Sequence, residues 1–440
     1  MAMIFLRRAG GVLVIVVALV AAVVAALAAF FGAAFATALV PVLVAAALAA
    51  FFATFFLLCW AGLALFGPLR TRRTRRTSSS GGRRPAVLAA AVATVVFGAG
   101  AGILLFRPMP RPADPPAGSD VRYWDLPTGS RIAYSHVPAV GRPRPAPVVF
   151  LHGGPGTAND GISPAGRALA ADGFEVYAYD QLGSGRSTRL SDIRGYTVER
   201  QVADLEAIRR RVGADKIILI GQSWGGELAG HYLAAHPDRV AKAVLSSPGV
   251  LWYGAFSGRD SGELWDRLSP RQRAQAESLA SSPRMLTAQL LAEVNPSAAH
   301  ALLGDQEADE RFRRILGASL SAAQCPGRPP ASLPANRPGF YVNQMTIADA
   351  KTLPDPRPRL RAVTVPTLVM RGECDYKDWQ VTYDYRRTLP NSTLVYVPHA
   401  GHGIAVDQPA VYLALVRAFL LGDRLPLPPY TAATPPAGRS

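Results

Sequence analysis

Residues 216–226 read KIILIGQSWGG, an apolar run of strand length followed by a serine between glycines. The five residues that begin at Gly221 have the pattern G-x-S-x-G, and the stretch 224–235 after them has the composition of a helix. A sharp strand-to-helix turn of this kind lifts the serine hydroxyl above the edge of a sheet. The stretch therefore predicts Ser223 as a nucleophile, and Gly221 and Gly225 as the small residues that allow the turn.

A serine hydroxyl is a weak nucleophile at neutral pH, so the motif requires a base and an acid elsewhere in the chain. In chains with this strand–turn–helix motif the order is serine, then the acid, then histidine. The apolar run 367–370 predicts a late strand, and RGECD follows it at 371–375. Asp375 has the expected loop position and is the predicted acid, with Glu373 as the alternative.

The base is expected in the loop between the last strand and the last helix, where residues 399–403 read HAGHG. His402 is the predicted base because it lies deeper in this loop, between two glycines, and His399 is then a structural neighbour. In such a triad the histidine takes the proton of Ser223, while Asp375 fixes the tautomer of the imidazole.

A developing oxyanion requires two backbone N–H donors. One is expected from Trp224, the residue after the predicted nucleophile. The other is expected from Gly154, in the loop after the apolar run 148–151, because a residue without Cβ lets a substrate approach the backbone. The rest of that loop, HGGPG, is expected to support it: His152, Gly153, Pro155 and Gly156. Neither this loop nor GSG at 183–185 is followed by Lys-Ser/Thr, which disfavours a nucleotide site.

From Asp120 onward, short apolar runs alternate with amphipathic stretches, a pattern that favours a mostly parallel sheet with helices on both faces. The eight predicted strands are 121–126, 131–137, 148–151, 175–179, 216–220, 243–245, 367–370 and 393–397. The predicted helices are 198–212, 224–235, 381–389 and 410–421. Residues 253–350 interrupt the alternation with helix-forming sequence and Pro-rich joints, which indicates an inserted helical cap.

The N-terminal quarter of the chain predicts a membrane anchor. No charged residue occurs between Arg8 and Arg70, a run of 61 residues, and one span needs about 20 apolar residues. This favours two spans near residues 11–31 and 41–66, and a further uncharged run favours a third near 85–106. A cleaved signal peptide fits less well, because the apolar run is too long and a second span follows directly.

Charge bears on orientation and on partners. The net charge is +16, from 47 Lys and Arg against 31 Asp and Glu, and residues 1–113 hold eleven arginines and no acidic residue. Most of these arginines precede the first span or lie between the second and third, so the positive-inside rule places that side in the cytoplasm and the chain after residue 106 outside it. They do not alternate with aromatic residues, which argues against a nucleic-acid partner.

Three cysteines exclude a Cys-rich zinc module, and no cofactor or metal is expected.

Together these motifs are similar to the α/β-hydrolase fold, and within it to the prolyl aminopeptidase (proline iminopeptidase) branch. The resemblance rests on HGGPG at 152–156, DQLGSGRS at 180–187 and GQSWGG at 221–226, and it extends from Asp120 to about Gly422. It implies a serine hydrolase with a cap over its pocket, and it assigns the same triad and the same oxyanion donors as the motifs themselves. The expected partners are a small-molecule or short-peptide substrate and the lipid bilayer.

The chain departs from that branch in its cap. Members that cleave N-terminal proline hold the free amine of the substrate with glutamates, one of them late in the cap. Here the predicted cap has no glutamate after Glu310, and Asn343 or Gln344 stands where an acid is expected. Glu293, Glu307 and Glu310 are alternatives, although solvated helix faces are their simpler interpretation.

These departures leave more than one function open. An esterase or lipase of the same fold remains beside the peptidase, because only the pocket would differ. A non-catalytic binding protein is disfavoured because all three triad positions are filled. A transporter is disfavoured because the three spans contain no charged residue to line a pathway.

The predicted organisation is an anchor and spacer at 1–113, a hydrolase core at 114–252 and 351–424, a cap at 253–350 and a Pro-rich tail at 425–440, interpreted as disordered. The hypothesis is a multi-pass membrane protein whose catalytic domain faces away from the cytoplasm. Cys325 and Cys374 would both lie on that side, where disulfides persist. They are hypothesised to pair and to tie the cap to the acid loop, with two buried free thiols as the alternative.

Overall fold

The chain forms two compact units. One contains residues 1–110 and 281–304, and the other contains residues 111–280 and 305–440. The computed structural model describes residues 2–66, 83–107, 109–110, 112–113, 116, 118, 120–257, 261–328 and 331–436. The arginine-rich connection at 67–82, on which the predicted orientation depends, lies outside the described residues.

Three long apolar helices form most of the first unit: α1 (Ala2–Ala34), α2 (Val40–Phe66) and α3 (Arg83–Phe106). Each contains a stretch of 23 or 24 residues that is long and apolar enough to cross a membrane. Small residues recur at every fourth position on the buried face of α1, at Ala18, Ala22 and Ala26, and let the neighbouring helix approach closely. The three predicted spans coincide with these helices.

A single sheet organises the second unit, and within the described part of the chain it has eight strands. They are β1 (Arg122–Asp125), β2 (Arg131–Val137), β3 (Val148–Leu151), β4 (Val176–Tyr179), β5 (Ile217–Gln222), β6 (Val240–Ser246), β7 (Thr367–Gly372) and β8 (Ser392–Val397). Their order is β1-β2-β4-β3-β5-β6-β7-β8. The pairs β1–β2 and β2–β4 are antiparallel, and all later neighbours are parallel. The mostly parallel eight-stranded sheet expected from the sequence is confirmed.

Helices cover the sheet, and three of them precede the insert: α4 (Pro164–Ala171), α5 (Val198–Arg211) and α6 (Trp224–Ala235). The central strands are buried along almost their whole length, because layers lie against both faces. Parallel strands in such a position have continuous apolar sequences, as IILI in β5 and TLVM in β7 illustrate. α6 begins directly at Trp224, so β5 and α6 hold the residue between them, Ser223, at the carboxyl edge of the sheet.

The insert between β6 and β7 is helical, as expected. It contains α7 (Pro270–Ala280), α8 (Pro283–Val294), α9 (Pro296–Leu302), α10 (Asp305–Ser319) and α11 (Phe340–Ala350). These helices do not all belong to one unit, because α8 and α9 group with α1–α3 while the other three group with the sheet. The structure thus divides the range 253–350, which the sequence pattern treats as one cap.

The remaining helices are α12 (Arg357–Leu360), α13 (Trp379–Thr388), α14 (Ile404–Asp407) and α15 (Pro409–Leu421). After them, the interpretation of the Pro-rich tail as disordered is wrong for residues 425–436. The backbone N–H of Tyr430 donates to the carbonyl of Leu394 at 2.7 Å, and Trp379 Nε1 donates to the carbonyl of Ala433 at 2.7 Å. β8 is an edge strand, and the tail pairs with backbone groups that would otherwise be open at that edge.

Candidate active site

The turn between β5 and α6 holds Ser223 in an unusual backbone conformation. Its φ is 54° and its ψ is −122°, a combination that is costly for a residue with a side chain. The two motif glycines make the turn possible. A Cβ on Gly221 would lie 2.2 Å from the carbonyl oxygen of Gly225, and a Cβ on Gly225 would lie 2.1 Å from that of Leu151. The G-x-S-x-G pattern is therefore a steric requirement of this turn.

Asp375 and His402 are brought together by the two last strands. β7 and β8 are parallel, with Gly372 opposite Val397, so the loops that follow them begin at the same edge of the sheet. His402 Nδ1 lies 2.7 Å from Asp375 Oδ1, and both side chains are buried. A carboxylate oxygen accepts, so Nδ1 carries the proton and Nε2 keeps its lone pair. Within the described part of the chain, His402 Nε2 is buried and has no hydrogen-bond partner. This is the tautomer that a general base requires.

The surroundings of Asp375 keep its carboxyl ionised. Burial alone favours the neutral acid, but His402 and Arg371 outweigh that effect and hold the pKa of Asp375 well below its usual range. Arg371 Nη1 lies 3.4 Å from Asp375 Oδ2, and the backbone N–H of Lys377 donates to Oδ1 at 3.1 Å. A permanent negative charge beside the imidazole stabilises the imidazolium that forms when the histidine takes a proton.

The alternative acid and the alternative base lie beside each other. Glu373 Oε2 accepts the backbone N–H of His399 at 2.7 Å, and the side chain of His399 is 70% exposed. The side chain of His402, in contrast, is 8% exposed and faces the buried carboxylate. This difference favours Asp375 and His402 for the roles that the sequence pattern gave them.

The HGGPG loop lies directly against the nucleophile turn. Leu151 at the end of β3 is opposite Gly221 on β5, and a Cβ on Gly153 would lie 3.2 Å from Ser223 Cβ. The backbone N–H groups of Gly154 and Trp224, the predicted oxyanion donors, have no acceptor among the residues that the structure describes. An oxyanion site requires two backbone N–H groups that are free to donate and that lie beside the nucleophilic serine.

Gln181 connects the two loops that carry these donors. Its backbone N–H donates to His152 Nε2 at 2.9 Å, and its side-chain amide donates to the carbonyl of His152 at 2.8 Å. Its side-chain oxygen accepts the indole N–H of Trp224 at 2.8 Å. Burial lowers the pKa of His152 to about 4, so its ring is neutral and serves as an acceptor here. The role of Gln181 was not predicted, although it lies in the DQLGSGRS stretch on which the resemblance rests.

A disulfide joins Cys325 in the insert to Cys374 beside the acid, with a Cα–Cα distance of 5.1 Å. The hypothesised pairing is confirmed. Neighbouring backbone bonds join the same three segments, since His402 N–H donates to the carbonyl of Ala323 at 2.7 Å and Cys374 N–H donates to that of Ala400 at 2.8 Å. The disulfide therefore ties the insert to both loops that carry the acid and the base.

Replacing both cysteines, as Cys325→Ala and Cys374→Ala, is expected to lower the free energy of unfolding by roughly 2–4 kcal/mol, because a cross-link over a 49-residue separation restricts the unfolded chain. Chemical denaturation of the full-length chain in detergent measures this difference. A reductant should destabilise the wild type and leave the double variant unchanged. Equal sensitivity of the two to the reductant would contradict this role for the disulfide.

Amide side chains, not acids, occupy the late part of the insert next to the oxyanion loop. Asn343 Nδ2 donates to the carbonyl of Pro155 at 2.8 Å, and Gln344 Nε2 donates to Asn343 Oδ1 at 2.8 Å. The interpretation of Glu307 and Glu310 as solvated residues is wrong, since both are buried. They form ion pairs of 2.8 and 3.0 Å with arginines one turn later on α10, which are Arg311 and Arg314. Of the three glutamates considered for amine binding, only Glu293 is solvent-exposed.

Glu227 is a buried acid that no sequence motif singled out. It lies one turn after Ser223 on α6, and its side chain is almost completely buried. Its Oε1 has no hydrogen-bond partner within the described ranges. Burial raises the pKa of this carboxyl well above its usual range, and Lys377 opposes the rise only in part. A glutamate inside the mostly apolar run 224–235, WGGELAGHYLAA, was the available signal.

The change Glu227→Gln is expected to stabilise the protein increasingly as pH rises. A raised pKa means that the folded state keeps a proton that the unfolded state loses above about pH 4.3. The wild type therefore loses stability by up to ~1.4 kcal/mol per pH unit above that value, until the folded pKa is reached. The glutamine side chain does not titrate, so the stability of Glu227→Gln lacks this dependence on pH. Denaturation midpoints from pH 5 to pH 8 measure the difference, and the exposed Glu199→Gln should give a constant offset. A constant offset for Glu227→Gln would contradict the expectation.

Comparison with known proteins agrees with the fold described above. The family described as alpha/beta hydrolase fold matches residues 146–409, well over half of the chain. The chain belongs to the α/β hydrolase family. Within the described residues of this hydrolase, no group of three or more His, Cys, Asp or Glu side chains is arranged to hold a metal ion.

Relatives of this hydrolase include proline iminopeptidases. That of Saccharolobus solfataricus is 27% identical over 274 residues, which covers 62% of this chain and 84% of the relative. Among solved structures, the proline iminopeptidase of Mycobacterium smegmatis has a TM-score of 0.47 at 20% identity, and an esterase of a Rhodococcus species has a TM-score of 0.47 at 22% identity. Both alignments cover 69% of this chain and 98% of the other.

Proposed function

We propose that this hydrolase removes N-terminal residues from short peptides through an acyl-enzyme. Ser223 Oγ attacks the scissile carbonyl while His402 Nε2 takes its proton, and Asp375 stabilises the imidazolium. The N–H groups of Gly154 and Trp224 stabilise the tetrahedral anion. His402 then gives its proton to the leaving amine, and water activated by the same histidine releases the product and restores the serine.

The observation that carries this proposal is the buried hydrogen bond of 2.7 Å between His402 Nδ1 and Asp375 Oδ1. It leaves Nε2 as a proton acceptor, and a strained serine turn and two unused backbone donors lie at the same edge of the sheet. The choice of a peptide substrate rests on the proline iminopeptidases among the relatives.

Two measurements test the proposal. A fluorophosphonate probe reports an activated serine, and labelling of the wild type is expected. A panel of aminoacyl and acyl anilides, with proline among the aminoacyl groups, then reports the substrate class. Preferential cleavage of the substrates with a free N-terminal amine supports an aminopeptidase, whereas no labelling of folded protein contradicts the proposal as a whole.

A carboxylic ester hydrolase is the second candidate, and the cap favours it. Asn343 and Gln344 occupy the late cap position where an amine-binding acid was expected, and the carboxylates of Glu307 and Glu310 are engaged by arginines. If no carboxylate is available at these positions, the charged amine of an aminopeptidase substrate has no counter-ion there, which favours a neutral acyl group. Faster turnover of short-chain acyl esters than of aminoacyl anilides would favour this candidate.

We further propose that α1–α3 anchor the chain in the cell membrane and that the hydrolase unit faces away from the cytoplasm. The support is the length and apolar composition of the three helices, together with the arginines at residues 70–84. Protease added to the outside of intact cells should remove the probe-labelled serine. Protection of the labelled serine in intact cells, with loss after lysis, would reverse the orientation.

A further inference from the structure

Two helices of the insert lie at one end of the apolar bundle. The guanidinium of Arg284 on α8 donates to the carbonyl of Leu105, near the C-terminus of α3. The side-chain amide of Asn295, at the start of α9, donates to the carbonyl of Ala34 at 2.8 Å, at the last residue of α1. The last carbonyls of a helix have no partner within the helix. α8 and α9 therefore satisfy backbone groups at the C-terminal ends of α1 and α3.

α8 is apolar on its outer face as well as on its inner face. Met285, Ala288 and Leu291 are buried, whereas Leu286 and Leu290 are 44% and 56% exposed and lie one turn apart. Leu286 and Leu290 therefore form a short apolar stripe on the side of α8 that no other element of the described structure covers. Glu293, one turn after Leu290, is exposed and ends the apolar stripe.

Other exposed apolar side chains lie at the same end of the bundle. The connection between α1 and α2 follows Ala34 directly, and in it Phe35 is 78% and Leu39 is 64% exposed. An apolar cavity of about 190 Å³ opens between α1, α2 and α3 and is closed on one side by Thr287 of α8. Its other walls are formed by alkyl and aromatic groups and small residues of the bundle. α8 packs against α1 and α3 at this end of the bundle.

We propose that α8 lies in the interface of the bilayer, with Leu286 and Leu290 inserted into the hydrocarbon of the leaflet that the ends of α1 and α3 reach. The occupant of this face is lipid, because the face continues the surface of helices long enough to span a membrane. Residues 281–304, the part of the insert that belongs to this unit, are then held at the bilayer surface by side chains of their own. This inference rests on the proposed membrane anchoring.

The test is the environment of a nitroxide label on variants of the full-length chain with one free cysteine, in phospholipid nanodiscs and with the Cys325–Cys374 disulfide intact. In a Cys59→Ala background, Leu290→Cys and, independently, Leu286→Cys receive the label. The expected result is high accessibility to oxygen and low accessibility to a water-soluble nickel chelate, as in hydrocarbon. Glu277→Cys on α7, an exposed helical position outside this unit, should give the opposite pattern.

A label at Val20, which is 58% exposed on α1, separates the failure of this inference from failure of the anchor. If Val20→Cys reports hydrocarbon while both α8 labels report water, the anchor stands and the inference is wrong. If the label at Val20→Cys also reports water, both the proposed membrane anchor and the inference about α8 are wrong. Low accessibility of both α8 labels to oxygen and to nickel would mean that protein, such as a second copy, covers this face, and it would overturn the assignment to lipid.

Discussion

The change Ser223→Ala is expected to lower kcat by about 10⁶-fold, because removal of the nucleophile abolishes the acyl-enzyme route and leaves only residual catalysis. The fold should persist. The side chain of Ser223 makes no capping hydrogen bond to α6. The turn is held by backbone hydrogen bonds, since the N–H of Ser223 donates to the carbonyl of Ser246 and its own carbonyl accepts the N–H groups of Gly226 and Gly249. The measurements are turnover of the best substrate from the panel, fluorophosphonate labelling and the denaturation midpoint.

Ser191→Ala is the matched control for this change. Ser191 is an exposed serine in the loop before α5, far along the chain from the G-x-S-x-G turn. Its replacement should leave both turnover and labelling unchanged. If Ser223→Ala turned over substrate at the wild-type rate, a mechanism with Ser223 as the nucleophile would be ruled out. Loss of labelling in Ser191→Ala would show that the probe reacts with Ser191 and not with Ser223.

The change Asp375→Asn is expected to lower kcat by about 10⁴-fold at neutral pH. The amide removes the negative charge that stabilises the imidazolium, and its NH₂ group can force His402 into the wrong tautomer. The fold should survive, because Arg371 also donates to the hydroxyl of Thr382 and to backbone carbonyls in the loop. Steady-state kinetics over a range of pH, together with the denaturation midpoint, measure the effect.

Glu373→Gln is an equally conservative change two residues away and decides between the two carboxylates. Glu373 accepts the backbone N–H of the exposed His399, not of His402. Its replacement should therefore alter kcat only a few-fold. A large loss with Glu373→Gln and a small one with Asp375→Asn would reverse the assignment of the acid.

Much of the fold could be predicted because the decisive patterns are local. A buried parallel strand is a short apolar run between turns, and all eight predicted strands occur within a few residues of their expected bounds. The position of Ser223 follows from sterics, since only glycines fit at residues 221 and 225. Asp375 and His402 could be predicted from their positions in the chain. Asp375 follows a late strand, and His402 lies between the last strand and the last helix.

What could not be predicted depends on contacts between residues far apart in the chain. The Pro-rich tail has a composition typical of disorder, yet an open edge strand offers it backbone partners. Glu307 and Glu310 have the spacing of a solvated helix face, but their helix is covered by other elements of the same unit. Glu227 stands out as a glutamate in a mostly apolar helix, but a single charged residue has no periodicity, so the sequence alone does not show that its side chain is buried.

The grouping of α8 and α9 with α1–α3 has a practical consequence for anyone who wishes to isolate the catalytic unit. The chain passes from one unit to the other three times, after residues 110, 280 and 304. Cutting the chain before residue 111 would therefore strip α8 and α9 of the helices they pack against, and leave Arg284 and Asn295 without their carbonyl acceptors. The truncated protein would display an apolar surface prone to aggregation in water. A catalytic unit free of detergent therefore requires removal of residues 281–304 together with the N-terminal helices, whereas a protein that keeps residues 281–304 has to keep those helices and be handled in detergent.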